Sequence, residues 1–319
     1  MTNAVRLAFV HCHGSGNDFP LVDARGLDVP ERAWPAVARA LADRAGPVGG
    51  DGLLLLTGGD GAHAFGMRMF NSDGSESEQC LNGLRCVARA GLAATGLERA
   101  RVRLATSSAE VWREADLASG VVTIGERAGP VGLDARGWPL KVETLDAGGR
   151  LVDAPVPPLD SARRFTAVAM PNPHLVAFVE QVDEAELVRL GEACEAAPAW
   201  LPHRANVSFA EARGPDALFV RTFERGVGLT NSCGSAMAAA TVAAALTGRV
   251  AWDAAVTVFN RGGRVRAVAG ADGTATLGGN ATWEWQGEAN VDLAAATAAD
   301  LVVTRRFGKE VDAWARAAG

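Results

Sequence analysis

No tyrosine occurs among the 319 residues, against 8 Trp and 11 Phe, and that imbalance has no functional account. No run of 18 apolar residues occurs either, so no membrane span is expected. A basic block is also missing: 31 Lys and Arg are mixed along the chain with 37 Asp and Glu, for a net charge of −6. Nucleic acid and anionic membrane surfaces are therefore not expected as partners. The start, Met1-Thr2-Asn3-Ala4-Val5-Arg6, lacks an apolar signal region and a cleavage site, which places the expected location in the cytoplasm. The five cysteines, at 12, 80, 86, 194 and 233, are odd in number and scattered, unlike a disulfide framework. No C-x-x-C or H-x₃-H spacing is present, so no metal site is expected. With 48% apolar and 21% charged residues, the chain reads as a soluble protein long enough for two domains.

What is present is the same phrase twice. Arg68, Phe70 and Cys80 recur as Arg221, Phe223 and Cys233, each pair 153 residues apart. A small, helix-prone run follows each cysteine: Leu81-Asn82-Gly83-Leu84-Arg85 after the first, Gly234-Ser235-Ala236-Met237-Ala238 after the second. Two such units at nearly half the chain length imply an internal duplication, with a site at the junction of the halves built from one cysteine of each.

The surrounding pattern is strand-rich. Leu7–Val10 and Phe19–Asp23 read as strands around the turn residues His13 to Asp18; residues 31–44 have helical periodicity; Leu53–Leu56 is a short buried strand. His63 to Phe70 reads as a strand, and a polar loop from Asn71 to Gln79 leads into a helix opening at Cys80. Residues 101–125 give two or three strands. The domain boundary falls near 126, with the Gly- and Pro-rich stretch from 129 to 149 as an edge hairpin or linker. Asp183 to Ala193 reads as a helix, Ala205–Ala210 and Ala217–Arg225 as strands, and 233–247 as the second cysteine-led helix. From about 293, with Asp292 as a possible N-cap, the tail reads as helix.

A cysteine at a helix N-terminus lies where free N–H groups and the helix dipole favour negative charge, so its thiol pKa is expected to fall. Two such helices can hold one carboxylate between them, with a thiolate on one side of an α-carbon and a thiol on the other. One base removes the α-proton and the opposite acid returns one, while converging N–H dipoles absorb the enolate charge. Cys12, Cys86 and Cys194 read as small buried hydrophobes. A redox dithiol remains a second reading of Cys80 and Cys233, against which stands their wide separation in sequence.

Asn17, Asn71, Asn82, Asn172 and Asn206 lie in loops that such a site would collect, though any one of them alone is ordinarily a turn residue. Arg225 suits a two-point carboxylate contact and Glu224 an ammonium group. His174 is either structural or thiol-orienting.

Taken together, these segments resemble the diaminopimelate epimerase family. The matching runs are His13-Gly14-Ser15-Gly16-Asn17-Asp18-Phe19, Gly50-Asp51-Gly52, Arg68 to Ser75, Cys80 to Cys86, Asn172-Pro173-His174, Arg204-Ala205-Asn206, and Glu224-Arg225-Gly226 through Cys233-Gly234-Ser235. The resemblance implies an α+β fold of two pseudo-symmetric domains, each a β-barrel-like sheet wrapped around a central helix. One domain would be 1–126 plus about 283–319, carrying Cys80; the other would be 127–282, carrying Cys233. It implies cofactor-independent interconversion of LL- and meso-diaminopimelate, a lysine and peptidoglycan precursor, by Cys80 and Cys233 as base and acid. Asn17, Asn71, Asn172, Asn206, Glu224 and Arg225 would hold the non-reacting end of the substrate. Backbone N–H groups of Leu81, Asn82, Gly234 and Ser235 would hold the reacting carboxylate, with His174 and Glu224 supporting the thiols. The family is often homodimeric. Leu81 stands where it has Gly, Leu229 where it has Glu, and Met237 where it has a small residue or Cys. A related racemase of another amino acid, or a non-catalytic protein of the same fold, therefore stays open.

Overall fold

In the structure, a computed structural model describing residues 4–77, 80–170 and 172–318, the first apolar run extends to an 11-residue strand, Ala4–Gly14. Met1 to Asn3 at the start, Glu78 and Gln79 at the end of the polar loop, and Pro171 beside Asn172 lie outside the described residues. Among the described residues the α-helices are α1 (Trp34–Ala42), α2 (Leu81–Thr95), α3 (Glu184–Glu195), α4 (Gly234–Leu246) and α5 (Gly308–Ala318). None of them is long and apolar enough to cross a membrane. The chain divides into two units, Met1–Glu126 with Gly278–Gly319, and Arg127–Leu277.

In the first unit, Asn17–Asp23 runs antiparallel to Ala4–Gly14 and parallel to Gly52–Gly58. A parallel neighbour needs a long crossover, and the connection between these strands carries α1. Gly52–Gly58 then pairs antiparallel with Phe65–Asn71, which lies parallel to Arg99–Arg103, itself antiparallel to Ser108–Glu114. The second unit repeats this order. Pro173–Phe178 is parallel to Asn206–Ala212 across a connection carrying α3. Asn206–Ala212 is antiparallel to Ala217–Glu224, which is parallel to Ala255–Asn260, which is antiparallel to Gly263–Ala269. Phe70 pairs with Leu53 in one unit and Phe223 with Val207 in the other, so the duplicated phrase occupies the same rung of each sheet.

Each sheet curls around its cysteine-led helix. Helix α2 and helix α4 each pack against six strands of their own unit. A helix enclosed in this way has no solvent face to keep polar. In α4 nearly every residue from Gly234 to Ala245 is buried, and the small Ala side chains let the strands approach. The fold is α+β with a sheet around a helix in each unit.

Two expectations fail. The tail does not continue as helix from Asp292. The Asp292 carboxylate accepts from the Ala294 and Ala295 N–H groups, but the chain then returns as a strand, Thr297–Arg306, antiparallel to Thr282–Asp292. Ala298 and Leu301 of that strand pack on the core of the first unit, and helix begins only at Gly308. Burial and long-range pairing outweigh the helical preference of the Ala-rich run. The stretch from 129 to 149 is not an edge hairpin either: it makes one bridge, Gly132 to Ala169, and buries Ala135, Trp138 and Leu140 in the second unit's core.

Candidate active site

Cys80 and Cys233 occupy the same local position, the N-cap of the helix that their unit encloses. Both backbones are extended there, with φ −147° at Cys80 and −128° at Cys233. Extended φ/ψ is what an N-cap requires, and it turns the side chain back over the first helical turn. The Gly83 N–H donates to Cys80 Sγ at 3.3 Å. The first-turn N–H groups of either helix have no intrahelical acceptor, which leaves donors for an anion.

Around Cys80 the first unit places Asn17, whose Oδ1 accepts from the thiol at 3.7 Å. The role at the far end of a substrate expected for Asn17 did not call for this contact. Met67, Met69, Leu84 and Leu104 line the apolar wall beside the sulfur. Asn82 is buried, and its Oδ1 accepts from Arg85 at 2.8 Å, so its side chain serves the interior. Arg85 also donates to Ser15 Oγ at 3.0 Å, to the Asn280 carbonyl at 3.2 Å and to Glu126. Asn71 holds its own turn, donating to Ser75 Oγ at 2.9 Å, and makes no hydrogen bond to Cys80.

The second unit gathers more of the expected residues. The Cys233 thiol lies 3.4 Å from Ser235 Oγ and against the Glu224 carboxylate, which also accepts from Thr230 Oγ1. Asn172 Nδ2 donates to the same Ser235 Oγ at 3.2 Å, and Asn172 Oδ1 is 3.1 Å from His174 Nε2. Asn206 Oδ1 accepts the Arg225 N–H at 2.9 Å, while the Arg225 guanidinium donates to the His203 carbonyl at 3.1 Å. His174 thus orients Asn172, its Nε2–H donating to the amide oxygen; no hydrogen bond joins it to Cys233.

The thiols do not behave as a bare helix N-terminus predicts. Burial pushes the Cys80 thiol up to about 12, although the Gly83 N–H and Arg85 pull the other way. Cys233 is also held well above the usual thiol range, first by burial and then by Glu224. A helix dipole contributes about 0.3–1 kcal/mol at its N-terminus, whereas full desolvation shifts a buried group by up to about 3–5 units. Burial therefore wins at both cysteines. Burial also raises Glu224, opposed by Thr230 and Cys233. It lowers His174 to about 3, with help from Arg225, so that imidazole is neutral around neutral pH.

The sequence model of "Diaminopimelate epimerase" matches residues 9–126 and 166–290. The chain belongs to the diaminopimelate epimerase family. Named diaminopimelate epimerases are similar to it over most of their length. One from Clostridium acetobutylicum is 34% identical over 90% of this chain and 87% of its own. One from Synechococcus elongatus is 39% identical over 76% of this chain and 84% of its own. The fold is shared more widely. A Bacillus anthracis phenazine biosynthesis protein of the PhzF family superposes with a TM-score of 0.63 at 16% identity, covering 89% of this chain and 99% of its own. A hydroxyproline epimerase from Agrobacterium vitis does so with 0.59 at 15% identity, covering 98% of both chains.

Against the family pattern, Leu81 costs nothing in backbone conformation: its φ is not positive, it sits in the first turn of α2, and its side chain is buried. Leu229 packs on the core of the second unit and pairs with Phe223. Met237 Sδ accepts from Asn260 Nδ2 at 2.9 Å. Thr230, which holds Glu224, was missed in the sequence because a threonine in a short strand carries no signal. So was Arg44, which lies between Asp18 and Asp51.

Proposed function

We propose that this enzyme converts LL-diaminopimelate to meso-diaminopimelate by transferring protons between two thiols and the substrate α-carbon. The observation that carries the reading is the matched placement of Cys80 and Cys233. Each caps the enclosed helix of its own unit, in a chain of the diaminopimelate epimerase family.

In this reading one sulfur, as thiolate, takes the α-proton and the other, as thiol, delivers its own to the opposite face. The two sulfurs then hold exchanged protonation states, and no electron is gained or lost. N–H groups of Leu81 and Asn82, and of Gly234 and Ser235, hold the reacting carboxylate as it takes up enolate charge. Both thiols rest protonated, so a base must be generated when substrate binds. Glu224 lies against Cys233, and its raised pKa makes it a competent acceptor for that proton. The substrate ammonium adds a positive charge nearby, which favours the thiolate. The reading includes Asn17, Asn71, Asn172, Asn206 and Arg225 as substrate contacts. It includes a cytoplasmic location and a homodimer, the dimer checked by light scattering on the purified protein. The two departures that pointed to another amino acid are absorbed elsewhere, since Leu81 and Leu229 are packed into their own units.

The test is α-proton exchange in D₂O under reducing conditions. LL-diaminopimelate should exchange and invert, single-carboxylate amino acids should not, and Cys80→Ala and Cys233→Ala should each abolish inversion. Exchange with a single-carboxylate amino acid alone would replace the substrate; no exchange at all would sink the two-thiol reading.

A further inference from the structure

The turn Gly49-Gly50-Asp51-Gly52 is built tightly against the strand that carries Asn17. A Cβ on Gly50 would sit 2.8 Å from Pro20 Cδ, and one on Gly52 only 2.2 Å from the Phe70 carbonyl oxygen. The Asp51 N–H donates to the Asp18 carbonyl at 2.8 Å, and the Asp51 carboxylate accepts the Asp18 N–H at 3.2 Å. Arg44 holds the other carboxylate oxygen at 2.7 Å while gripping Asp18 at 2.6 and 2.8 Å. So fixed, Asp51 Oδ2 receives the Asn17 amide nitrogen.

A carboxylate only accepts, so it must meet the –NH₂ end of Asn17. The amide oxygen is then the end turned to Cys80, and it accepts from the thiol at 3.7 Å. An acceptor at a sulfur favours S–H over S⁻, because hydrogen bonding to the neutral form disfavours the charged one. We propose that Asp51 is a positioning residue for Cys80: it locks the Asn17 amide with its oxygen toward the sulfur, and so keeps the proton on Cys80 in the resting enzyme. In the proposed reaction Cys80 then starts as the proton donor; Cys233, where Glu224 also favours the thiol at rest, gives its proton to Glu224 when substrate binds.

The other charged or titratable groups facing Cys80 are Arg85 and Cys86 on α2 and Glu126 on the strand Thr123–Ala128. All of them remain in the variants below. The part in turnover rests on the proposed two-thiol function; the effect on the thiol does not.

The experiment is iodoacetamide alkylation at pH 8.5, read cysteine by cysteine by peptide mass spectrometry. It compares the full-length protein with Asp51→Asn, Asn17→Ala and the double variant. Freed from its carboxylate, Asn17 can present –NH₂ to the sulfur, and Cys80 should alkylate about tenfold faster, the gain in thiolate for a shift of about one pH unit. Asn17→Ala removes the acceptor and should also accelerate Cys80. In that background Asp51→Asn should add nothing, since its effect passes through Asn17. An unchanged Cys80 rate in Asp51→Asn overturns the proposal. So does an equal acceleration with and without Asn17, which would be the plain loss of a nearby charge. Faster alkylation of Cys12 and Cys86 as well would show a loosened unit and overturns it too. Should Asp51→Asn fail to fold by circular dichroism, an unaccelerated Cys80 in Asn17→Ala alone has the same force. If wild-type protein exchanges no α-proton, the epimerase reading fails while the alkylation series still decides the role of Asp51.

Discussion

Arg85 donates to Glu126 at 2.9 Å with neither side chain reaching solvent, beneath the first turn of the helix that Cys80 caps. The remaining guanidinium donors go to Ser15, Asn82 and the Asn280 carbonyl, so one cation ties three segments to that turn. Breaking such a pair from one side leaves an uncompensated buried charge. At pH 8, where Glu126 is ionised, Glu126→Leu should therefore destabilise the protein by about 3–5 kcal/mol, seen as a lower midpoint in urea. The double variant Arg85→Met/Glu126→Leu should recover most of that loss. A double variant as unstable as the single one would mean that Arg85 matters for its contacts to Ser15 and Asn82 more than for its charge.

The same pair predicts a pH dependence. Burial outweighs the attraction of Arg85 and pushes the Glu126 carboxyl up to about 7 from an ordinary 4.5. The folded state then binds the proton more tightly than the unfolded chain. This group's contribution is complete below the ordinary value and is lost as pH rises through about 7. Urea unfolding between about pH 5 and 7 should show wild type losing stability relative to Glu126→Gln as pH increases. Parallel curves would mean that Glu126 is already ionised at pH 5.

At Cys233 the carboxylate of Glu224 has two effects of opposite sign. It disfavours the thiolate at rest by like charge, and in the proposed reaction it accepts the thiol proton. Glu224→Gln removes both effects. Alkylation of Cys233 by iodoacetamide should become faster, while diaminopimelate turnover should fall by about 10²–10⁴, the range for loss of a general base. Both rates falling together would point to a collapsed pocket rather than to lost proton transfer.

Much of this was legible along the chain, for local reasons. The cysteine helices announce themselves because an N-cap followed by a small apolar run is a signal carried by adjacent residues, as at Cys80-Leu81-Asn82-Gly83. Asp183 opening α3 is legible in the same way, its carboxylate accepting the Ala185 and Glu186 N–H groups. The repeated parallel pairing, Asn17–Asp23 beside Gly52–Gly58 and Pro173–Phe178 beside Asn206–Ala212, is not, because each pair is joined through a long crossover. Nor is the state of the thiols. A helix start argues for a low pKa, and only the sheet closed around it reveals the desolvation that reverses the sign. The tail was misread because Leu293 to Ala299 is Ala-rich, and its pairing with Thr282–Asp292 has no local signature.

That tail, which lies beyond the residues matched by the family, is held to the cysteine helix of the first unit. Arg89 of α2 donates twice to Glu310 of α5, at 2.5 and 2.9 Å, and once to the Ala281 carbonyl at 2.7 Å, with its guanidinium 3.8 Å above the Trp283 ring. Helix α5 covers Val121 with Ala313, Trp314 and Ala317. Glu310→Ala should cost about 1–2 kcal/mol, the loss of a charge-assisted, partly buried two-point bond. Truncation after Ala296 should cost more. It removes the strand paired along Thr282–Asp292, together with the apolar face of α5, and so bares Val121 and the Trp283 ring. Urea midpoints of the two variants decide the matter. A truncated chain as stable as wild type would show that the strand Thr297–Arg306 and α5 merely lie on the unit, and Arg89 would then owe its orientation to Ala281 and Trp283 alone.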